Sequence, residues 1–115
     1  MDTYRDLAEL YQAGYADLAE LQPKTAAAFG RLVMDATADG ELPTKFKELT
    51  AFAIAVSCRC GGSIAHHAEA IFREGATRQE AAEMIGVAIL MGGGLSAACG
   101  VEALRAFDEV ARAES

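Results

Sequence analysis

Only two residues of this chain are prolines, and where they and the glycine turns fall decides what it can fold into. Pro23, Asp39-Gly40, Pro43, Gly61-Gly62, Gly75 and Gly92-Gly93-Gly94 divide it into six segments. Between them alanine is abundant, Trp is absent, and β-branched and aromatic residues are sparse, so helical propensity dominates. The expectation is an all-α chain of six helices. With 115 residues, 52% of them hydrophobic, it is long enough for one core and too short for two, which predicts a single domain over 1–115.

The first segment, about Thr3 to Leu21, spaces Leu7, Leu10, Tyr11, Leu18 and Leu21 as an amphipathic helix does. Pro23 opens a second helix, which carries Phe29, Leu32, Val33 and Met34 and closes at Asp39-Gly40. Thr44 is the expected N-cap of a third. There Phe46, Leu49, Phe52, Ala53, Ile54, Ala55 and Val56 follow one another with no charge after Glu48, so this helix is predicted to be buried on most sides. Gly61-Gly62 is expected to reverse the chain into a fourth helix, Ser63 to Glu74, ended by a left-handed Gly75. Thr77 and Glu80 form a TxxE capping box for the fifth, and the sixth runs from about Ser96 to Ala113.

The uncharged run from Met84 to Val101 contains Gly86, Gly92, Gly93, Gly94 and Gly100, too many breakers for a membrane span of about 20 residues. A buried helix ending in a glycine turn is predicted instead, with its apolar surplus covered by another subunit. A net charge of −7 argues against a nucleic-acid partner, which calls for clustered Lys and Arg. Three cysteines make no disulfide framework, and Met1-Asp2-Thr3-Tyr4 has no basic stretch followed by an apolar one, so a cytoplasmic location is expected.

The run Cys58-Arg59-Cys60-Gly61-Gly62-Ser63-Ile64-Ala65-His66-His67 carries the chemistry. A thiol at a helix start is favoured as thiolate by the positive end of the helix dipole, and a histidine further along the same face can move its proton. Ser63 and His67 are four apart, hence neighbours on one face, with Cys60 a turn nearer the N-terminus. Glu48 lies twelve residues before Cys60. In one continuous helix the two would stand about 18 Å apart, whereas a hairpin turning between Cys58 and Gly62 brings Glu48 level with His67 to Ile71. The four groups would then line one small pocket.

Other readings of these residues are weaker. His66 points about 100° away from His67 and is expected at the surface or an interface. Adjacent histidines lack the three- or four-residue spacing of a helical metal pair, so no metal is expected. Ser63, His67 and Glu48 have the residue types of a hydrolase triad, but no nucleophile elbow of the GxSxG kind accompanies them. Cys99, within Ser96-Ala97-Ala98-Cys99, reads as a small core residue.

Glu48, then eleven residues, then Cys60, Ser63 and His67 resembles the signature E-x11-CxxCxxxH of the alkyl hydroperoxidase D-like branch of the carboxymuconolactone decarboxylase superfamily. The similarity spans about 42–110 and takes in Gly75-Ala76-Thr77, Met91-Gly92-Gly93-Gly94 and Ala106-Phe107-Asp108-Glu109. The resemblance implies a six-helix protomer whose antiparallel helical hairpin carries the site, assembling into homo-oligomers of three or six chains without cofactor or metal. It also implies a peroxiredoxin-type oxidoreductase, with a small-molecule peroxide as substrate and a thiol or lipoyl-bearing protein as reductant. Carried over, Cys60 is the resolving thiol, His67 the proton relay and Glu48 the base behind it.

Ser63 stands where the family has its attacking cysteine. A hydroxyl cannot form a sulfenic acid, so Cys60 itself would have to meet the peroxide, with Cys58, Cys99 or an external thiol resolving it. Loss of the second cysteine also admits a lyase acting on a lactone, as carboxymuconolactone decarboxylase does, or a non-catalytic binding subunit.

Overall fold

The computed structural model describes residues 3–114 and shows six helices, with no strand among the described residues. They are α1 (Thr3–Leu21), α2 (Pro23–Thr37), α3 (Thr44–Cys58), α4 (Gly61–Arg73), α5 (Arg78–Gly92) and α6 (Gly94–Glu114). The all-α expectation holds.

α3, α4, α5 and α6 enclose the core, in which Phe52, Val56, Ile71 and Phe107 are buried. Complete burial of a side chain such as Phe52 or Ile71 contributes about 1.5–3 kcal/mol. Alanines at 53, 55, 68, 81, 88, 103 and 106 fill the space between the large residues. Their small side chains let the helix axes approach closely, which gives the high alanine content a packing role. Gly100 goes further, since a Cβ there would lie 2.6 Å from Ile85 Cγ2.

The ends of α3 depart from expectation. Thr44 is the first helical residue, not the cap. Asp39, five residues upstream, accepts from the Thr44 amide at 2.7 Å and from its hydroxyl at 3.0 Å. The amide bond, then the hydroxyl, hold the Asp39 carboxyl below its usual range. At the other end the chain reverses at Arg59 (φ 60°, ψ 37°), the one non-glycine residue with positive φ among those described. The Arg59 amide donates to the Val56 carbonyl and the Cys60 amide to the Ala55 carbonyl, the pair of bonds that closes a helix around a left-handed residue. A residue with a Cβ costs about 1–2 kcal/mol more than glycine in that conformation.

Gly61 and Gly62 therefore do not make the turn; they open α4. Their lack of a side chain serves α1, because a Cβ on Gly61 would stand 3.0 Å from Leu7 Cδ2 and one on Gly62 3.3 Å from Tyr11 Cδ2. Gly75 does adopt the expected left-handed conformation, at φ 83° after α4 has ended at Arg73. The Thr77–Glu80 capping box is present in both directions, at 3.0 and 2.8 Å. Glu80 also pairs with Lys45 at 2.9 Å, tying the start of α5 to the start of α3.

α1 buries Ala8 and packs Tyr4 against the core, while Leu10, Leu18 and Leu21 remain exposed, contrary to their amphipathic spacing. The N-terminus of α1 is fixed from the far end of the chain: the buried Glu109 carboxylate accepts from the amides of Tyr4 (2.9 Å) and Arg5 (3.2 Å). Next to it, Asp108 holds Arg78 through two hydrogen bonds of 2.8 and 3.1 Å.

α2 buries no side chain. α3 is covered on most sides, with Leu49, Phe52, Ala53, Ala55 and Val56 buried, while its exposed Phe46 and Ile54 line an apolar groove of about 390 Å³ with Met84, Val87 and Met91 of α5. Within the protomer the Met84–Val101 run stays largely uncovered: Leu90 and Met91 are each 79% exposed. No helix among the described residues is long and apolar enough to cross a membrane.

Replacing Gly100 with Ala would force Ile85 to move, and overpacking of this kind costs about 1–3 kcal/mol. Thermal unfolding of Gly100→Ala should show Tm lowered by several degrees; an unchanged Tm would mean that α5 and α6 are less tightly apposed than described.

Candidate active site

Because Arg59 turns the chain back on itself, α3 and α4 pack antiparallel, and Glu48 of α3 comes level with His67 of α4. Their side chains meet, with Glu48 Oε1 3.3 Å from His67 Nδ1. Both groups are part-buried. A carboxylate at Nδ1 favours the proton there and leaves Nε2 as the nitrogen that can exchange one with a neighbour.

Cys60 is the residue just before α4, with extended backbone (φ −100°, ψ 106°). Its sulfur thus lies at the positive end of the α4 dipole. It makes no capping hydrogen bond of close geometry. The Ser63 hydroxyl first, then the Ser63 amide, and to a smaller extent the Gly62 amide, nonetheless hold its pKa below that of an ordinary thiol, against a weaker opposing effect of burial.

A pocket of about 250 Å³ is lined by Cys58, Cys60, Ser63 and His67, with Ala51, Ile54 and Ala55 supplying an apolar wall. Glu48 is not among the lining residues and reaches the pocket only through His67, so the expectation that all four groups line it is corrected by one layer. Cys58 and Cys60 are both exposed. Cys99 packs against the core and does not line this pocket.

His66 is not a free surface residue. Its ring lies 5.9 Å from that of Tyr11 and edge-on to His67 at 5.1 Å, and its Nδ1 is buried without a hydrogen-bond partner. Burial first, then the neighbouring His67, push its pKa down. Tyr11, Tyr15, Phe29 and Val33 form with it a cleft of about 380 Å³ between α1 and α2. Glu69, which follows the two histidines, is paired with Arg73 at 2.9 Å. Among the described residues no group of three or more His, Cys, Asp or Glu side chains is placed to hold a metal.

Residues 23–112 match the carboxymuconolactone decarboxylase family. The chain belongs to that family. The match starts at Pro23 and so includes α2, which lies outside the signature region of about 42–110. A carboxymuconolactone decarboxylase family protein from Legionella pneumophila, apo-lpg0406, has a crystal structure similar to this one with a TM-score of 0.93 and 36% sequence identity, covering 96% of this chain and 98% of that one. A Thermotoga maritima protein shares the fold at a TM-score of 0.79 and 23% identity, over 92% of this chain and 96% of its own. An uncharacterized protein of Cupriavidus necator is 38% identical over 94 residues, 82% of this chain and 83% of its own length. Uncharacterized protein 4 in the cox locus of Paracoccus denitrificans is 38% identical over 73 residues, 64% of this chain and 66% of its own.

Two contacts of this family member were not apparent from sequence reasoning. Asp39-Gly40 reads as a turn signal, yet the Asp39 carboxylate anchors the start of α3, the helix that carries Glu48. Glu109 carries no local signal of its role, because its partners lie about a hundred residues away.

The Cys60 environment is testable by alkylation. With its pKa lowered, the thiolate persists below the usual thiol range and is lost only as pH falls through the depressed value. Iodoacetamide labelling of Cys60, followed against pH by mass spectrometry, should show a midpoint below that of an ordinary cysteine thiol, and Ser63→Ala should raise it. A midpoint that Ser63→Ala leaves in place would remove the serine from this role.

Proposed function

We propose that the protein is a thiol-dependent peroxide reductase of the alkyl hydroperoxidase D-like type, in which Cys60 and not the residue at position 63 attacks the peroxide. The observation that carries this reading is the placement of Cys60, at the start of α4 beside the Ser63 hydroxyl and in one pocket with His67. Ser63 occupies the position of a family cysteine but here steadies the anion of its neighbour.

His67 takes the thiol proton from Cys60. The thiolate attacks the distal peroxide oxygen, a sulfur–oxygen bond forms as the oxygen–oxygen bond breaks, and Cys60 becomes a sulfenic acid. The leaving alkoxide receives the proton held by His67 and departs as an alcohol, so thiol plus hydroperoxide gives sulfenic acid plus alcohol. Glu48 orients the imidazole and stabilises it while it is charged. The apolar wall of Ala51, Ile54 and Ala55 suits an organic hydroperoxide.

Several copies acting together form part of this reading, as the implied trimer or hexamer. α2 buries nothing in the protomer, and an isolated helix of its length, 15 residues, is marginal in water. Apolar surface left open on α2, α3 and α5 supports a covering partner of the same chain.

A second reading, a lyase acting on a lactone acid, is favoured by the serine itself, since Ser63 and the Glu48–His67 pair suit proton transfer without redox change. Stoichiometric organic hydroperoxide should convert Cys60 to a species trapped by a sulfenate-specific reagent, and His67→Gln should slow that conversion about 100-fold or more. Release of carbon dioxide from the lactone acid, with Cys60 unmodified by peroxide, would replace the reductase reading with the lyase.

A further inference from the structure

We infer that Cys58 is the resolving thiol and that oxidation closes a disulfide between Cys58 and Cys60 across Arg59. This rests on the reading of Cys60 as the attacking residue and supplies the step that Ser63 cannot.

In regular helix, residues two apart point in diverging directions, and a pair so spaced would not meet. Here the helix has stopped. Cys58 is the last residue of α3, Arg59 is left-handed, and Cys60 is extended before α4 begins. Two Cα–Cα steps of about 3.8 Å, bent at Arg59, bring the cysteine Cα atoms toward the roughly 4.4–6.8 Å that a disulfide spans. Both side chains line the same 250 Å³ pocket and both are exposed. Cys99 meets neither condition, being half-buried against the core and away from the pocket.

The left-handed Arg59 gains a purpose on this account. The Arg59 amide is held by the Val56 carbonyl and the Cys60 amide by the Ala55 carbonyl, which fixes the short segment between the two sulfurs.

The step balances without another oxidant. The Cys58 thiol attacks the sulfur of the Cys60 sulfenic acid, the sulfur–oxygen bond breaks, and hydroxide leaves with the Cys58 proton as water. The disulfide then requires a dithiol, small or protein-borne, which is oxidised to its own disulfide as both cysteines return to thiols. Exposure of both residues lets such a reductant reach them.

Trypsin cuts after Arg59, so the peptides Glu48–Arg59 and Cys60–Arg73 report the bond directly. After one equivalent of cumene hydroperoxide, non-reducing mass spectrometry of the full chain should show these two peptides joined, lighter by two hydrogens than their sum, and separated again by dithiothreitol. Cys99→Ser should leave the joined product unchanged. Cys58→Ser should abolish it, and Cys60 should then accumulate as sulfenic acid and, with excess peroxide, as sulfinic acid. Cys60 sulfenate in the wild type with Cys58 still free, or Cys60 joined to Cys99, would overturn the inference and leave the reductase reading standing. Cys60 untouched by peroxide would overturn both.

Discussion

The chain reversal at Arg59 is the constraint on which the rest of the site depends. One residue in a left-handed conformation, tied to the carbonyls of Val56 and Ala55, ends α3 and lets α4 run back alongside it. Antiparallel packing follows, and from it come the Glu48–His67 contact, the placement of Cys60 before the first turn of α4, and a pocket that holds two sulfurs, a hydroxyl and an imidazole. If the same residues continued as one helix, the carboxylate would be separated from the thiol by a distance that proton transfer does not cross.

The surrounding structure holds that reversal in place. Gly61 and Gly62 admit Leu7 and Tyr11 of α1 against the start of α4, and α1 is itself held by the Glu109 carboxylate of α6. The other end of α3 is held by Asp39 and by the Lys45–Glu80 pair. Apart from the local Asp39 bond, each anchor joins elements distant in sequence, so loosening α1 or α6 would be felt at Cys60 without any change in the pocket itself. The helices that position the chemistry share one buried core, whereas α2 stands apart with its apolar residues uncovered.

The sequence disclosed what repeats or what is local. Six helices were legible because breakers separate them, and the Thr77–Glu80 cap and the Gly75 turn were legible because each is decided within a few residues. The level of Glu48 against His67 followed from counting outward from a turn. The turn residue itself is not legible: the double glycine is the compositional turn signal, whereas a left-handed arginine has no such mark and is imposed by the carbonyls it meets. Long-range contacts were equally hidden: nothing near Glu109 announces that it serves α1. Apolar spacing overstates burial at Phe46 and Ile54 and at Leu10, Leu18 and Leu21, because it marks a face that must be covered without saying by what.

The central claim is that Glu48 works on Cys60 only through His67, and a double-mutant cycle on the rate of Cys60 oxidation tests it most directly. The second-order rate constant with hydrogen peroxide would be measured for the wild type, Glu48→Gln, His67→Gln and the double variant. Each single change should slow the reaction, and the double variant should be no slower than His67→Gln alone. Losses that multiply in the double variant, or rates that neither change affects, would contradict the account.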